Sequence, residues 1–112
     1  MLANGIIEPS SFPYCTYPVL APKKDRGVRF AVDYRKLNSV TIADKTPLPN
    51  IEDLFASLKD SKYFGLIDLR WGFWHIPIKP SQRHYTAFRT PSGLYQFKRM
   101  PFGLINAPAW FQ

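Results

Sequence analysis

One carboxylate stands out for its surroundings. Asp68 lies in the run Tyr63-Phe-Gly-Leu-Ile-Asp68-Leu69, which is otherwise apolar at nearly every position. Such a run has the pattern of a central strand covered on both faces. Burying an ionised carboxylate there is costly unless a cation or several donors compensate. Two kinds of partner could serve. Arg70 or Arg99 could pair with Asp68, or the carboxylate could be a hard oxygen ligand for a divalent cation such as magnesium, which keeps waters for a substrate phosphate. The second reading belongs to phosphoryl-transfer chemistry.

The bases are distributed unevenly. The 15 Lys and Arg against 8 Asp and Glu give a formal charge of +7. Residues 1–68 hold nine bases and eight acids, net +1, while residues 69–112 hold six bases and no acid, net +6. A basic half rich in aromatics points to a polyanionic partner, and a solvated basic face is the plain alternative. Lys23-Lys24-Asp25-Arg26 reads on its own as a solvated turn. His75, alone among aromatics, reads as a packed polar residue. Cys15 is the only cysteine, so neither an internal disulfide nor a multi-thiolate metal site is available.

These residues need elements to carry them. Tyr17 to Pro22 reads as a proline-limited edge strand, residues 23–27 as a turn, and Val28 to Arg35 as a strand of period two. That period puts Val28, Phe30, Val32 and Tyr34 on a packing face and Arg29, Ala31, Asp33 and Arg35 outward. After Pro47-Leu-Pro49, Asn50 caps a short helix whose Glu52 and Asp53 suit the dipole of its first turn. Ile51, Leu54, Phe55 and Leu58 have the spacing of a core-facing stripe. A second hairpin is expected from Tyr85–Thr90 and Leu94–Met100 around Pro91-Ser-Gly93. Asn106 then caps a helix with Pro108 in its first turn. Strands and helices interleave without a regular repeat, which predicts an α+β fold rather than a doubly wound one.

Composition sets the outer bounds. At 112 residues the chain can bury about 65% of its unfolded surface, enough for one modest core. An apolar content of 46%, with 16% aromatic, excludes a disordered tail. No run reaches the ~18 apolar residues of a membrane helix, and the uncharged stretch Pro9 to Pro22 is broken by prolines, so neither a signal peptide nor a membrane anchor is expected. A helix opening at Asn106 runs out of sequence within two turns, which suggests a piece cut from a longer chain.

Several long motifs stand in register. Leu66-Ile-Asp68-Leu-Arg-Trp-Gly72-Phe73-Trp-His-Ile-Pro-Ile78, Thr86-Ala-Phe-Arg-Thr90, Gly93-Leu-Tyr-Gln-Phe97 and Met100-Pro-Phe-Gly-Leu-Ile-Asn-Ala-Pro108 follow Pro22-Lys-Lys-Asp25, Arg29 and Val32-Asp-Tyr-Arg-Lys-Leu-Asn38. Together they resemble the reverse transcriptases of gypsy-like long-terminal-repeat retrotransposons and their retroviral relatives.

That resemblance implies a right-hand polymerase fold. Residues 1–62 would be fingers and the entry to the palm, 63–73 the catalytic palm strand, and 74–112 a fingers and palm continuation. Asp68 would be the first of three catalytic aspartates holding two Mg2+ ions, with the Leu69 carbonyl as a further ligand. The other two would lie in a Tyr-x-Asp-Asp turn beyond Gln112, leaving this piece inactive alone. Phe73 would lie beneath the deoxyribose and exclude a 2′ hydroxyl, with Gly72 letting backbone approach the triphosphate. Arg29 with Lys23 or Lys24 would close on the β- and γ-phosphates. Phe102 and Gly103 would form the floor beside the nucleotide, while Leu104, Trp110 and Phe111 pack. Arg89, Lys98, Arg99, Asn106 and Pro108 would face nucleic acid. The implied partners are an RNA or DNA template with primer, deoxynucleoside triphosphates and the rest of the polymerase, in a cytoplasmic virus-like particle and with no membrane. Trp71 departs from the small or polar residue usual after the catalytic strand. A non-catalytic nucleic-acid-binding module, or a decayed element, is the competing reading.

Overall fold

The computed structural model describes residues 1–22 and 27–112. Two small antiparallel sheets form its frame. Strands β2 (Pro18–Pro22) and β3 (Val28–Val32) make one, and β1 (Ile7–Pro9), β4 (Phe88–Thr90) and β5 (Gly93–Phe97) make the other in the order β1-β5-β4. Thr16 joins them: its N–H donates to the Ala87 carbonyl at 3.2 Å, and its own carbonyl accepts from the Arg89 N–H at 2.9 Å. Phe30 of one sheet meets Phe88 of the other edge to face at 5.4 Å.

The core sits at that junction. Val32, Tyr34, Phe88 and Phe97 are buried together, flanked by Ile6, Ile7, Phe30, Leu37, Ile78, Tyr95 and Leu104. The period-two expectation for β3 holds at Phe30, Val32 and Tyr34, whereas Val28 at the strand's outer end is exposed. Buried Thr86 ties the polar atoms of this region together. Its hydroxyl donates to the Arg83 carbonyl at 2.7 Å and accepts from the Phe97 N–H at 2.8 Å, while the Tyr34 phenol donates to the Thr86 carbonyl at 3.1 Å. Burial pushes the Tyr34 hydroxyl's pKa well above its ordinary value, so it stays a donor.

Several boundaries differ from expectation. The strand expected to run to Arg35 stops at Val32, and helix α1 (Arg35–Val40) follows. Asp33 accepts from the Arg35 N–H at 3.0 Å, an Asx turn that diverts the chain from the strand. The strand expected from Tyr85 starts only at Phe88, because Tyr85 and Thr86 close a 3₁₀ helix (Pro80–Thr86) that Pro80 opens. Helix α2 (Ile51–Leu58) forms as expected, with the Asn50 side chain accepting from the Glu52 N–H. Its apolar stripe is not in a core. Ile51, Leu54, Phe55 and Leu58 are all exposed, since among the described residues no element packs against that face. Residues 63–69 likewise form no strand: a ladder needs a partner, and among the described residues none pairs with them. Among the described residues no helix is long and apolar enough to cross a membrane.

Candidate active site

Residues 76–78 run beside residues 98–100 and anchor the site. The Ile78 N–H donates to the Lys98 carbonyl at 2.8 Å and the Met100 N–H to the Ile76 carbonyl at 2.9 Å, flanking a bridge between Pro77 and Arg99. From this anchor hangs a 3₁₀ turn, Gly72–His75, which carries Phe73. The same anchor leads through buried Met100 and Pro101 to Phe102. Phe73 and Phe102 thereby meet at 5.0 Å between ring centroids, and Phe111 of helix α3 (Ala107–Phe111) meets Phe73 edge to face at 5.3 Å.

A cleft of about 460 Å³ opens here. It is lined by Ile67, Asp68, Leu69 and Trp71 with Gly72, Phe73, Phe102 and Phe111. Five residues picked out from the sequence, Asp68, Leu69, Gly72, Phe73 and Phe102, thus share one concave surface. Asp68 itself is exposed, so the expected burial cost does not arise. Nor does it form the expected ion pair: among the described residues it has no hydrogen-bond or salt-bridge partner, and Arg99 instead donates to the His75 carbonyl at 3.4 Å. An open carboxylate beside a backbone carbonyl suits a hard cation. Among the described residues no three His, Cys, Asp or Glu gather to form a complete ligand set.

The two glycines have different reasons. A Cβ on Gly72 would stand 2.7 Å from the Phe111 ring, so the absent side chain makes room for an aromatic wall of the cleft. Gly103 has φ +96°, a left-handed conformation that other residues adopt only under strain. It is held by Asn38, which the sequence marks only as the last residue of a motif. Asn38 donates to the Gly103 carbonyl at 2.7 Å and accepts from the Ile105 N–H at 2.9 Å. No local signal marks this pair, because its members lie 65 and 67 residues apart.

Asn106 does not cap its helix with its side chain. Its amide accepts from the Asp44 N–H at 2.8 Å and donates to the Ile42 carbonyl at 2.9 Å, holding a loop where a cap was expected. His75 is exposed rather than packed, and its Nε2 donates to the Arg70 carbonyl at 3.2 Å. Trp71 is the one non-glycine residue with positive φ among those described, at 59°, a conformation costing roughly 1–2 kcal/mol. Its ring stacks on Trp74 at 4.7 Å and 6°, a contact worth about 0.5–1.5 kcal/mol.

Among the described residues no base lines the cleft. Arg29 is exposed on β3 opposite Ala21 and is not among the residues lining the cleft. Lys23 and Lys24 lie outside the described residues. Arg89 is exposed on β4, Lys98 and Arg99 are half-buried, and Pro108 is exposed in α3. Arg35 is spoken for: its Nη2 donates to Asp33 at 2.6 Å and its Nε at 2.9 Å, which holds the Asp33 carboxyl down at about 2. That pairing engages two of the three guanidinium nitrogens of Arg35.

Residues 21–112 match the family described as "Reverse transcriptase (RNA-dependent DNA polymerase)". The chain belongs to this family. This reverse transcriptase segment is 46% identical over 117 residues to the retrovirus-related Pol polyprotein from transposon opus of Drosophila melanogaster, covering 100% of this chain and 12% of that one. Against the Pol polyprotein from transposon gypsy of the same organism it is 38% identical over 118 residues, covering 100% and 11%. The segment therefore spans 11–12% of the length of these curated relatives.

Solved structures agree on the fold. The prototype foamy virus protease-reverse transcriptase CSH mutant superposes with TM-score 0.80 at 32% identity, covering 98% of this chain and 15% of that one. The foamy viral protease-reverse transcriptase in complex with double-stranded DNA gives 0.79 at 27% identity, covering 98% and 19%. The segment is thus an α+β reverse transcriptase fold of the gypsy-type group.

Proposed function

We propose that this segment is the fingers and first part of the palm of an RNA-directed DNA polymerase, with residues 1–62 mainly fingers, 63–73 the catalytic palm segment and 74–112 the continuation. The observation that carries the reading is the shared cleft, in which Asp68, Leu69 and Phe73 from one stretch of chain meet Phe102 and Phe111 from beyond the second hairpin. An open carboxylate in a concave site walled by aromatics brought from two parts of the chain fits a nucleotidyl-transfer site.

In that role Asp68 and the Leu69 carbonyl would hold magnesium. Bound there, the metal supplies positive charge to the oxygens of the phosphate being transferred. The chain's own residues do the rest. Phe73 presents a ring edge that leaves no volume for a 2′ hydroxyl, and Phe102 backs it. Gly72 and Gly103 keep backbone close to the nucleotide. Arg29, with Lys23 or Lys24, supplies fork and point charges for the β- and γ-phosphates. Arg89, Lys98, Arg99, Asn106 and Pro108 face the primer and its RNA or DNA template, and the remaining carboxylates come from the rest of the polymerase chain. The parent element would work in a cytoplasmic virus-like particle.

Asp68→Asn in the complete Pol polymerase tests this. Primer extension with deoxynucleotides and magnesium should fall at least a thousandfold, on the scale of removing an electrostatic centre, while primer-template binding persists. Extension at the wild-type rate would leave a non-catalytic nucleic-acid-binding module as the reading.

A further inference from the structure

The direction in which Asp68 leaves the anchored part of the site is set at one residue. C-terminal to Trp71, the 3₁₀ turn is fastened by the Ile76 N–H donating to the Phe73 carbonyl and by the ladder to residues 98–100. N-terminal to it, residues 63–69 have no ladder partner among the described residues. The left-handed torsion at Trp71 is the joint between the two, and nothing about a tryptophan favours it.

Contacts on both sides of Trp71 hold the joint. Trp71 and Trp74 lie one 3₁₀ turn apart, the spacing at which side chains eclipse, and their rings stack at 4.7 Å with a 6° tilt. The Trp74 N–H also donates to the Trp71 carbonyl at 2.9 Å. Across the same joint His75 donates to the Arg70 carbonyl at 3.2 Å. Trp71 is at once a wall of the cleft and one half of the stack.

We infer that the Trp71–Trp74 stack is a clamp on this joint, which makes Trp74 a positioning residue for the Asp68–Phe73 spacing and thereby for nucleotide selection. Its effect on nucleotides rests on the polymerase reading; its effect on the joint does not. Trp74 acts through Trp71 and touches no substrate.

The joint is tested in the 112-residue chain and selection in the complete polymerase. Stacked indoles give an exciton couplet in circular dichroism. The couplet should persist in Trp110→Phe and vanish in both Trp74→Ala and Trp71→Gly. Amide hydrogen exchange at residue 74 and Ile76, whose N–H groups are bonded within the turn, should accelerate severalfold in Trp74→Ala and recover in Trp74→Phe. In the polymerase, Trp74→Ala should raise the deoxynucleotide KM and the ribonucleotide-to-deoxynucleotide incorporation ratio severalfold with a smaller change in kcat, and Trp74→Phe should restore both. Glycine takes the left-handed torsion freely, so Trp74→Ala should add nothing in a Trp71→Gly background. A missing couplet, unchanged exchange, or an unchanged ratio once the couplet is lost would overturn the clamp. An Asp68→Asn enzyme that still extends primers would defeat the polymerase reading instead, leaving couplet and exchange as they were.

Discussion

Phe73 and Asn38 illustrate how differently single side chains serve this site. Phe73 is half-buried between Phe102 and Phe111, so it is neither a free surface ring nor a core residue. Under the proposed steric role, Phe73→Val in the complete polymerase should raise ribonucleotide incorporation well above any loss of deoxynucleotide incorporation, because the change would remove a clash rather than an attraction. The ratio of the two kcat/KM values checks this and is insensitive to lost folded protein. A plain packing ring would depress both substrates together. Asn38 never touches the cleft, yet it holds Gly103 and Ile105 through two hydrogen bonds. Asn38→Ala should cost about 1–2 kcal/mol in urea unfolding of the chain, and Asn38→Asp should not restore the loss, because its carboxylate keeps the acceptor for the Ile105 N–H but sets an acceptor against the Gly103 carbonyl.

At the scale of elements, the three-residue strand β1 shows how a short segment is secured. Ile7 faces Phe97 and Pro9 faces Tyr95, but three residues of ladder are a weak hold. Glu8 reinforces it, accepting from the Gln96 amide at 2.8 Å and from Arg83 at 3.3 Å, both half-buried. These contacts, the Gln96 hydrogen bond foremost, hold the Glu8 carboxyl below its ordinary value of 4.5. A depressed acid contributes stability that is full above its unfolded pKa and is lost as pH falls through the folded one. Glu8→Gln should therefore destabilise the chain by about 1 kcal/mol near neutrality. Denaturant unfolding of the two proteins should converge as pH drops below 4.5. Asp33, held at about 2 by Arg35, titrates alike in both and cancels from the comparison.

The whole molecule is extended for its length. Its radius of gyration is 17.1 Å, where a compact chain of this size would have about 13 Å. The excess comes from the segment between residues 42 and 71, every residue of which is exposed, including Tyr63, Leu66 and Ile67 at 90% or more. Stability should be correspondingly uneven. Native-state hydrogen exchange should find the slowest amides in β4 and β5 around Phe88 and Phe97, and near-unprotected amides over residues 62–70, which lack backbone hydrogen bonds among the described residues. Uniform protection along the chain would contradict the division.

The amino-acid sequence alone determined the α+β class, the register face of β3, the capped helix at Ile51–Leu58 and, through its motifs, the family and the residues around Asp68. Those are properties of neighbours: alternation, a cap two residues from its donor, a run of side chains in order. Tertiary structure alone decided the rest. Periodicity says which face of a helix or strand is apolar, not whether another element covers it, so the stripe of α2 and the run 63–69 looked like core and stand in solvent. Asn106 had the form of a cap and spends its amide on Ile42 and Asp44, because an asparagine side chain bonds whichever backbone groups the fold brings to it. Strand β1 and the Asn38 clamp join residues more than sixty positions apart, and no local pattern encodes contacts whose partners are chosen only when the chain closes on its core.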